Sequence, residues 1–162
     1  MRNLQIITPE KIFGGVFLTV IISGESSAAE YFGDDGFAAG DVIAAHEIRL
    51  LQAPESVLIV GKGEVLPKEI SVFAAIVDAD GGFSAEELNG TSVISCGMSG
   101  RNTVSMTSCT NEYVSLSLNR SIMTLAGICE PFEQPVRRLP DTSDYDCMAA
   151  FAAAILLGIA GR

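Results

Sequence analysis

Val72-Phe73-Ala74-Ala75-Ile76-Val77 is an unbroken apolar run that stops at Asp78-Ala79-Asp80-Gly81-Gly82. A second run, Ser56 to Val60, is rich in β-branched residues and stops at Gly61-Lys62-Gly63. Short apolar runs bounded by turn residues read as strands buried on both faces, because a strand with one wet face alternates polar and apolar residues. Upstream, Ala44, Ile48 and Leu51 recur at helical spacing with Ala45 beside them, while His46, Glu47 and Arg49 fall on the wetter side. That pattern predicts a helix from about Ala38 to Gln52, entered from the turn Gly33-Asp34-Asp35-Gly36 and ended by Pro54. Buried strands alternating with helical segments predict an α/β fold: a mainly parallel, Rossmann-like sheet flanked by helices.

The following third of the chain changes character. Ser92–Gly97, Thr103–Cys109 and Tyr113–Leu118 are short strand-like stretches separated by Ser99-Gly100-Arg101-Asn102 and Thr110-Asn111-Glu112. Val114, Leu116 and Leu118 alternate with Ser115 and Ser117, and Val104 and Met106 alternate with Thr103, Ser105 and Thr107. Period two means one packed face and one wet face, so an antiparallel β-meander extends the sheet. Ile122–Leu125 and Ile128–Val136 continue it, interrupted by Gly127 and Pro131. The chain closes on a helix in which Tyr145, Met148, Ala149, Ala152, Ile155, Leu156 and Ile159 form one stripe and Ala150, Ala153 and Ala154 keep the other side small. Such a helix packs with little exposure. Residues 141–144 supply caps and negative charge at its positive end, and Gly158 and Gly161 let it stop.

With 162 residues, 48% hydrophobic and 19% charged, the sequence is long and apolar enough to bury a core. A single domain over residues 1–162 is expected, with a strand-helix-strand part at 1–70 and the strand-rich part with its closing helix at 71–162. Ten basic residues against twenty acidic ones give a net charge of −10. Such a surface repels phosphate backbones, which argues against nucleic acid and anionic membranes as partners. The mean hydropathy of +0.37 points instead to a homodimer or a protein partner covering apolar surface.

Ile12 to Ile22 is apolar, with Arg2 and Lys11 before it and Ser26-Ser27-Ala28-Ala29 after it. A secretory signal over residues 1–28 has this form. Glu10 directly before the run, and Asn3–Ile7 reading as a strand, favour a buried core strand and a cytoplasmic protein. Cys147 to Ala160 is too short for the roughly 18 apolar residues of a membrane span. Cys96, Cys109, Cys129 and Cys147 have no paired zinc-ligand spacing, and the single His46 is distant, so no metal site is expected. In the cytoplasm they are free thiols; a secreted chain would allow two disulfides in any of three connectivities.

Candidate chemistry concentrates at strand ends. Gly61-Lys62-Gly63 stands where a phosphate loop would, but Glu64 follows and no Lys-Ser or Lys-Thr pair exists, so a tight turn is the better reading. Counted from Asp78, the sixth position that a calcium loop reserves for glycine is Phe83. Asp78 and Asp80 still stand at a strand's carboxyl end, where open α/β sheets bind ligands. They equally suit a solvated turn that caps a helix at Ala85–Leu88. Arg101, Arg120, Arg137 and Arg138 fit either an anion site or a set of rim ion pairs. His46 lacks a Ser or Cys partner, and no catalytic constellation is expected.

Three segments in order resemble the later part of the central domain of the Mur ligases, the ATP-dependent peptidoglycan amino-acid ligases. Ala75-Ile76-Val77-Asp78-Ala79-Asp80-Gly81 is similar to the family strand ending in Asn-x-Asp-Asp, and Val93-Ile94-Ser95-Cys96-Gly97-Met98-Ser99 resembles its V-I-T-Y-G-L-S strand. The stretch from Asp146 to Ile159 resembles its N-A-L-A-A-I-A-A-A-L-x-L-G-I helix. The likeness covers about residues 72–160.

The departures fall on nucleotide-binding positions. The family's Gly-Lys-Thr loop is absent, its Asn is Asp78 and its second Asp is Gly81. Its His-Asn-x-x-Asn, which helps hold adenine, is matched by Thr142, Ser143 and Asp146. Asn both donates and accepts, whereas a carboxylate only accepts. The resemblance therefore implies a Mur-ligase-like scaffold that has lost its ATP site. On this reading the chain is a non-catalytic binding or assembly module without cofactor, connected with cell-wall precursor metabolism. The alternative is a small enzyme or binding protein for an anionic metabolite. Lys62, Asp78, Asp80, Arg101 and Asp146 are its candidate ligand-binding residues, and their convergence in one pocket distinguishes the two.

Overall fold

The computed structural model describes residues 19–33, 36–37, 41–46, 48, 50–64, 66, 69–82, 88 and 90–161. Within them lie strands β1 (Thr19–Ser23), β2 (Asp41–Ala45), β3 (Leu50–Val60), β4 (Glu69–Asp78), β5 (Val93–Cys96), β6 (Val104–Cys109), β7 (Tyr113–Leu118), β8 (Ile122–Thr124), β9 (Gly127–Cys129) and β10 (Phe132–Arg137). A 3-10 turn spans Ala28–Tyr31, and helix α1 spans Asp144–Leu156.

Eight strands form one sheet in the order β10-β7-β6-β5-β4-β3-β1-β2. All neighbours from β2 through β6 pair in parallel; β7 pairs antiparallel with both β6 and β10. Successive residues of a strand point to opposite faces. Val20, Ile22, Val57, Ile59, Ala74 and Ile76 accordingly join α1 in one core, while Ile21, Leu58, Val60, Ala75 and Val77 join a second core with Leu51 and Leu88. Both faces are dry along β1, residues 56–60 of β3 and residues 74–77 of β4, which is why those stretches are almost continuously apolar, whereas β2 at the sheet edge is largely exposed.

Helix α1 is buried from Tyr145 to Leu156. Its alanines bring the backbone close to the sheet, and Phe151 and Ile155 fill the remaining volume without exposure. Gly158 adopts φ 75°, and the N–H groups of Gly158 and Ile159 donate to Ile155 and Ala154 carbonyls, closing the helix with a Schellman motif. Beside this end, β8 and β9 form a separate two-stranded hairpin, docked by the Leu125 N–H donating to the Leu156 carbonyl at 2.8 Å. Met123 and Ile128 are partners across that hairpin and are 61% and 69% exposed.

Three expectations are corrected. The α/β, Rossmann-like reading with flanking helices fails: strand makes up 50% of the described residues and helix 14%, and the sheet is mixed. Among the described residues α1 is the sole α-helix, and it covers one face. The segment read as a helix from Ala38 to Gln52 holds β2 and the start of β3 instead. Pro54 ends no helix; it sits inside β3 where the register against β4 shifts between Ala53 and Val57, an irregularity at which a missing N–H is tolerated. Ser92–Gly97, grouped with the antiparallel meander, contains β5, which is parallel to both neighbours.

The strand read at Asn3–Ile7, the first part of the apolar run at 12–18, and the core of the helix read at Ala85–Leu88 lie outside the described residues. The end of that apolar run is β1, fully buried between β2 and β3. No helix among the described residues is long and apolar enough to cross a membrane. All four cysteines carry free thiols.

Candidate functional site

Because β1, β3, β4 and β5 run in parallel side by side, their carboxyl ends open on one edge of the sheet. Each end must be followed by a loop, and four loops meet there. Gly61 lets two of them close up: a Cβ on it would lie 2.1 Å from the Ser23 carbonyl oxygen, to which the Gly61 N–H donates at 2.7 Å. Glu25 and Lys62 then pair by a backbone bridge just beyond β1 and β3. The first turn of α1 lies across the opening. Together they enclose a cleft of about 470 Å³.

Lys62, Asp78, Asp80 and Asp146 all line this cleft, so four of the five sequence-derived candidates converge. Arg101 does not line it; this exposed residue's carbonyl accepts a hydrogen bond from the Arg120 guanidinium. The arginines of the meander do not gather into one basic spot around the cleft, and Arg138 is instead paired with Asp144 at 2.9 Å.

The carboxylates are already engaged with their own loops. Asp78 Oδ1 accepts from the backbone N–H groups of Asp80 and Gly81 at 3.0 and 3.1 Å, holding the turn after β4. Asp80 Oδ2 accepts from the Met98 N–H at 2.8 Å and ties that turn to the loop after β5. Gly97 leaves room for this, since a Cβ there would lie 2.9 Å from Asp80 Oδ1. Asp146 closes a capping box: its N–H donates to Ser143 Oγ at 3.0 Å, and its Oδ2 accepts from the Ser143 N–H at 3.1 Å. Its Oδ1 accepts the Ser26 hydroxyl at 2.7 Å.

Underneath, the Tyr145 hydroxyl donates toward the Val60 carbonyl at 2.7 Å and lies 3.1 Å from that of Ile76, pinning α1 to the ends of β3 and β4. Burial pushes this phenol well above its ordinary range, and burial likewise pushes the Cys96 thiol up.

Sequence reasoning missed Glu25, Ser26 and Ser27, which line the cleft from the loop after β1, as well as Met98 and Met148. A signal was present: Thr19–Ile22 is followed by Gly24 and then by small polar residues, a strand-to-turn pattern. Among the described lining residues, the carboxylates of Glu25, Asp78, Asp80, Asp144 and Asp146 face the cleft against the ammonium of Lys62, with Asp144 also paired to Arg138. No group of three or more His, Cys, Asp or Glu among the described residues is arranged to hold a metal ion. No family model, curated protein or solved structure matches the chain.

Proposed function

We propose that this chain is a non-catalytic binding module, Mur-ligase-like in its later half, whose strand-end cleft no longer accepts a nucleoside triphosphate. The observation that carries the reading is the state of α1's amino end and of the loop after β1. In nucleotide-binding sheets those features offer free backbone N–H groups and a positive dipole to phosphate. Here the amino end is occupied by its own Ser143–Asp146 box, and the loop after β1 brings the Glu25 carboxylate to the cleft. Among the described lining residues a triphosphate would meet five carboxylates, of which Asp144 is paired with Arg138, and one lysine, an electrostatic environment that opposes it.

Four of the five candidate residues converge, as the small-molecule alternative requires, so the cleft is the docking place for a small molecule on this reading; its charge balance turns the choice from an anion toward a neutral or cationic compound. The connection with cell-wall precursors is drawn from the family resemblance. A thermal-shift screen of cationic, neutral and anionic small molecules tests the assignment, because a ligand of the folded state raises the melting temperature by mass action. Hits among neutral or cationic compounds, with amide chemical-shift changes at Ser26, Asp78 and Met98, are expected. Hits confined to phosphorylated compounds contradict it.

A further inference from the structure

We propose that the outer edge of β10 docks an extended peptide from another protein, seating one apolar residue that an acidic residue follows. This site is separate from the strand-end cleft and does not depend on the function proposed for it. The Arg138 N–H donates to the Glu112 carbonyl, so in the antiparallel pair of β10 and β7 the backbone of residues 134 and 136 turns inward. That of Glu133, Pro135 and Arg137 turns outward. β10 ends the sheet order, and among the described residues no hydrogen bond reaches the Pro135 carbonyl or the Arg137 N–H. Both residues are exposed.

A parallel neighbour bonds through a residue opposite Val136: its N–H donates to the carbonyl before Val136, and its C=O accepts from the N–H after it. The same pattern joins β1 to β2, where Ser23 is opposite Ala45 and the Gly24 N–H donates to the Ala45 carbonyl. On β10 the groups required are the Pro135 carbonyl and the Arg137 N–H, so the donor that proline lacks is not needed. An antiparallel neighbour would set a carbonyl against Pro135 with no N–H to meet it. Pairing also stops after one residue. The next N–H along the edge, that of Leu139, is already given to the Tyr31 hydroxyl at 3.2 Å.

The docked residue projects on the Val136 face, since residues opposite each other across two strands share a face. On that side Tyr31, Phe37 and Leu139 pack into the same core as Val136, and these residues wall a cavity of about 260 Å³ beside β10. Pockets for whole small molecules are larger, roughly 300–1,000 Å³. This one suits a single aliphatic side chain. Its walls are set in advance: the Phe37 N–H donates to the Tyr31 carbonyl at 2.8 Å, and the Tyr31 hydroxyl lies 2.8 Å from that of Thr142. The following peptide residue falls beside Arg137 on the opposite face. Among the described residues the ion-paired arginine is Arg138, with Asp144, so a carboxylate there gives Arg137 a cross-strand partner. Backbone bonds thus supply attachment, and the cavity with Arg137 supplies selection.

The probe is the capped peptide acetyl-Ser-Ser-Leu-Asp-Ser-amide, titrated into the isotope-labelled native chain and followed by amide chemical shifts. Saturable shifts centred on Phe37, Arg137 and Leu139 are expected. Methylating the leucine nitrogen removes the donor to the Pro135 carbonyl and is expected to weaken binding about tenfold. Methylating the aspartate nitrogen, which faces away from β10, is expected to leave the affinity nearly unchanged. Arg137→Gln keeps the backbone N–H and is expected to weaken this peptide about twofold to fivefold, but not its asparagine analogue. Equal affinity for the leucine-methylated peptide, shifts centred on Ser26 and Asp78 in the cleft, or no saturation at the solubility limit would overturn the proposal. Shifts at Phe37 and Arg137 on diluting the protein alone would also overturn it, by seating a second copy of this chain at the edge.

Discussion

The Ser26 hydroxyl donates to the Asp146 carboxylate at 2.7 Å, joining residues 120 positions apart. Through it the loop after β1 and the amino end of α1 hold each other, and the position that resembles an adenine-binding asparagine becomes a clamp within the chain. Asp146 is 7% exposed and both of its oxygens are engaged.

Removing that clamp has a graded cost. Ser26→Ala deletes the hydrogen bond to the Asp146 carboxylate and the one that Ser26 Oγ accepts from the Ala28 N–H at 3.2 Å, and a loss of about 1–2 kcal/mol is expected. Asp146→Ala also deletes half of the capping box, raising the loss to about 2–3 kcal/mol. Asp146→Asn keeps an acceptor for the Ser143 N–H, with its amide facing the Ser26 oxygen, and is expected to be milder than either. Urea midpoints of the three variants check the order; an Asn variant as weak as the Ala variant would contradict it.

Tyr145→Phe leaves the ring in place and removes only the hydroxyl that meets the Val60 and Ile76 carbonyls. A loss of about 1 kcal/mol is expected, measured by chemical denaturation. An unchanged midpoint would mean that these carbonyls do not depend on the phenol.

Alkaline pH weakens the fold in a defined direction. The Cys147 pKa rises from 9.0 to about 11 on folding, and burial also raises the pKa values of Tyr31, Tyr145 and Cys96. Between those two values the unfolded chain gives up the Cys147 proton that the folded chain retains, so stability present below pH 9 is lost as the pH climbs toward 11. Denaturation midpoints across that window are expected to fall steadily, and less steeply for Cys147→Ala. A midpoint that rises with pH would contradict the burial of these groups.

Pro135 guards a sheet edge. The Arg138 N–H donates to the Glu112 carbonyl, which makes residues 136, 134 and 132 the hydrogen-bonded partners of β7 and turns the backbone of Glu133, Pro135 and Arg137 outward. Proline removes the middle donor of that outer row and two charged side chains flank it, a common defence against strand pairing between molecules. Pro135→Thr is expected to increase concentration-dependent association in sedimentation velocity; an unaltered sedimentation profile would refute the guarding role.

Strands were legible where burial produced an unambiguous period. Val114, Leu116 and Leu118 alternate with serines and occupy β7, and the apolar run from Val72 to Val77 lies wholly within β4. Helix α1 was legible for the same reason, since its stripe and its Ser143 cap agree. The region around Ala44, Ile48 and Leu51 misled because their spacing suits a helix, while β2 is a short, largely exposed edge strand whose Val42, Ile43, Ala44 and Ala45 run without the polar alternation that would have countered it. Pro54 seemed to confirm the error, since a bulge in a central strand leaves no mark in the sequence. At the site, Lys62, Asp78, Asp80 and Asp146 were legible as residues following apolar runs or opening the last helix. Their partners Glu25 and Ser26 were not, because only the adjacency of β1 and β3 brings the two loops together.

Isothermal titration calorimetry of the native chain with ATP and magnesium tests the central claim most directly. The account predicts no binding heat through millimolar nucleotide, because carboxylates fill the ground a triphosphate would need. Saturable binding with a micromolar dissociation constant, abolished by charge reversal at Lys62, would contradict it.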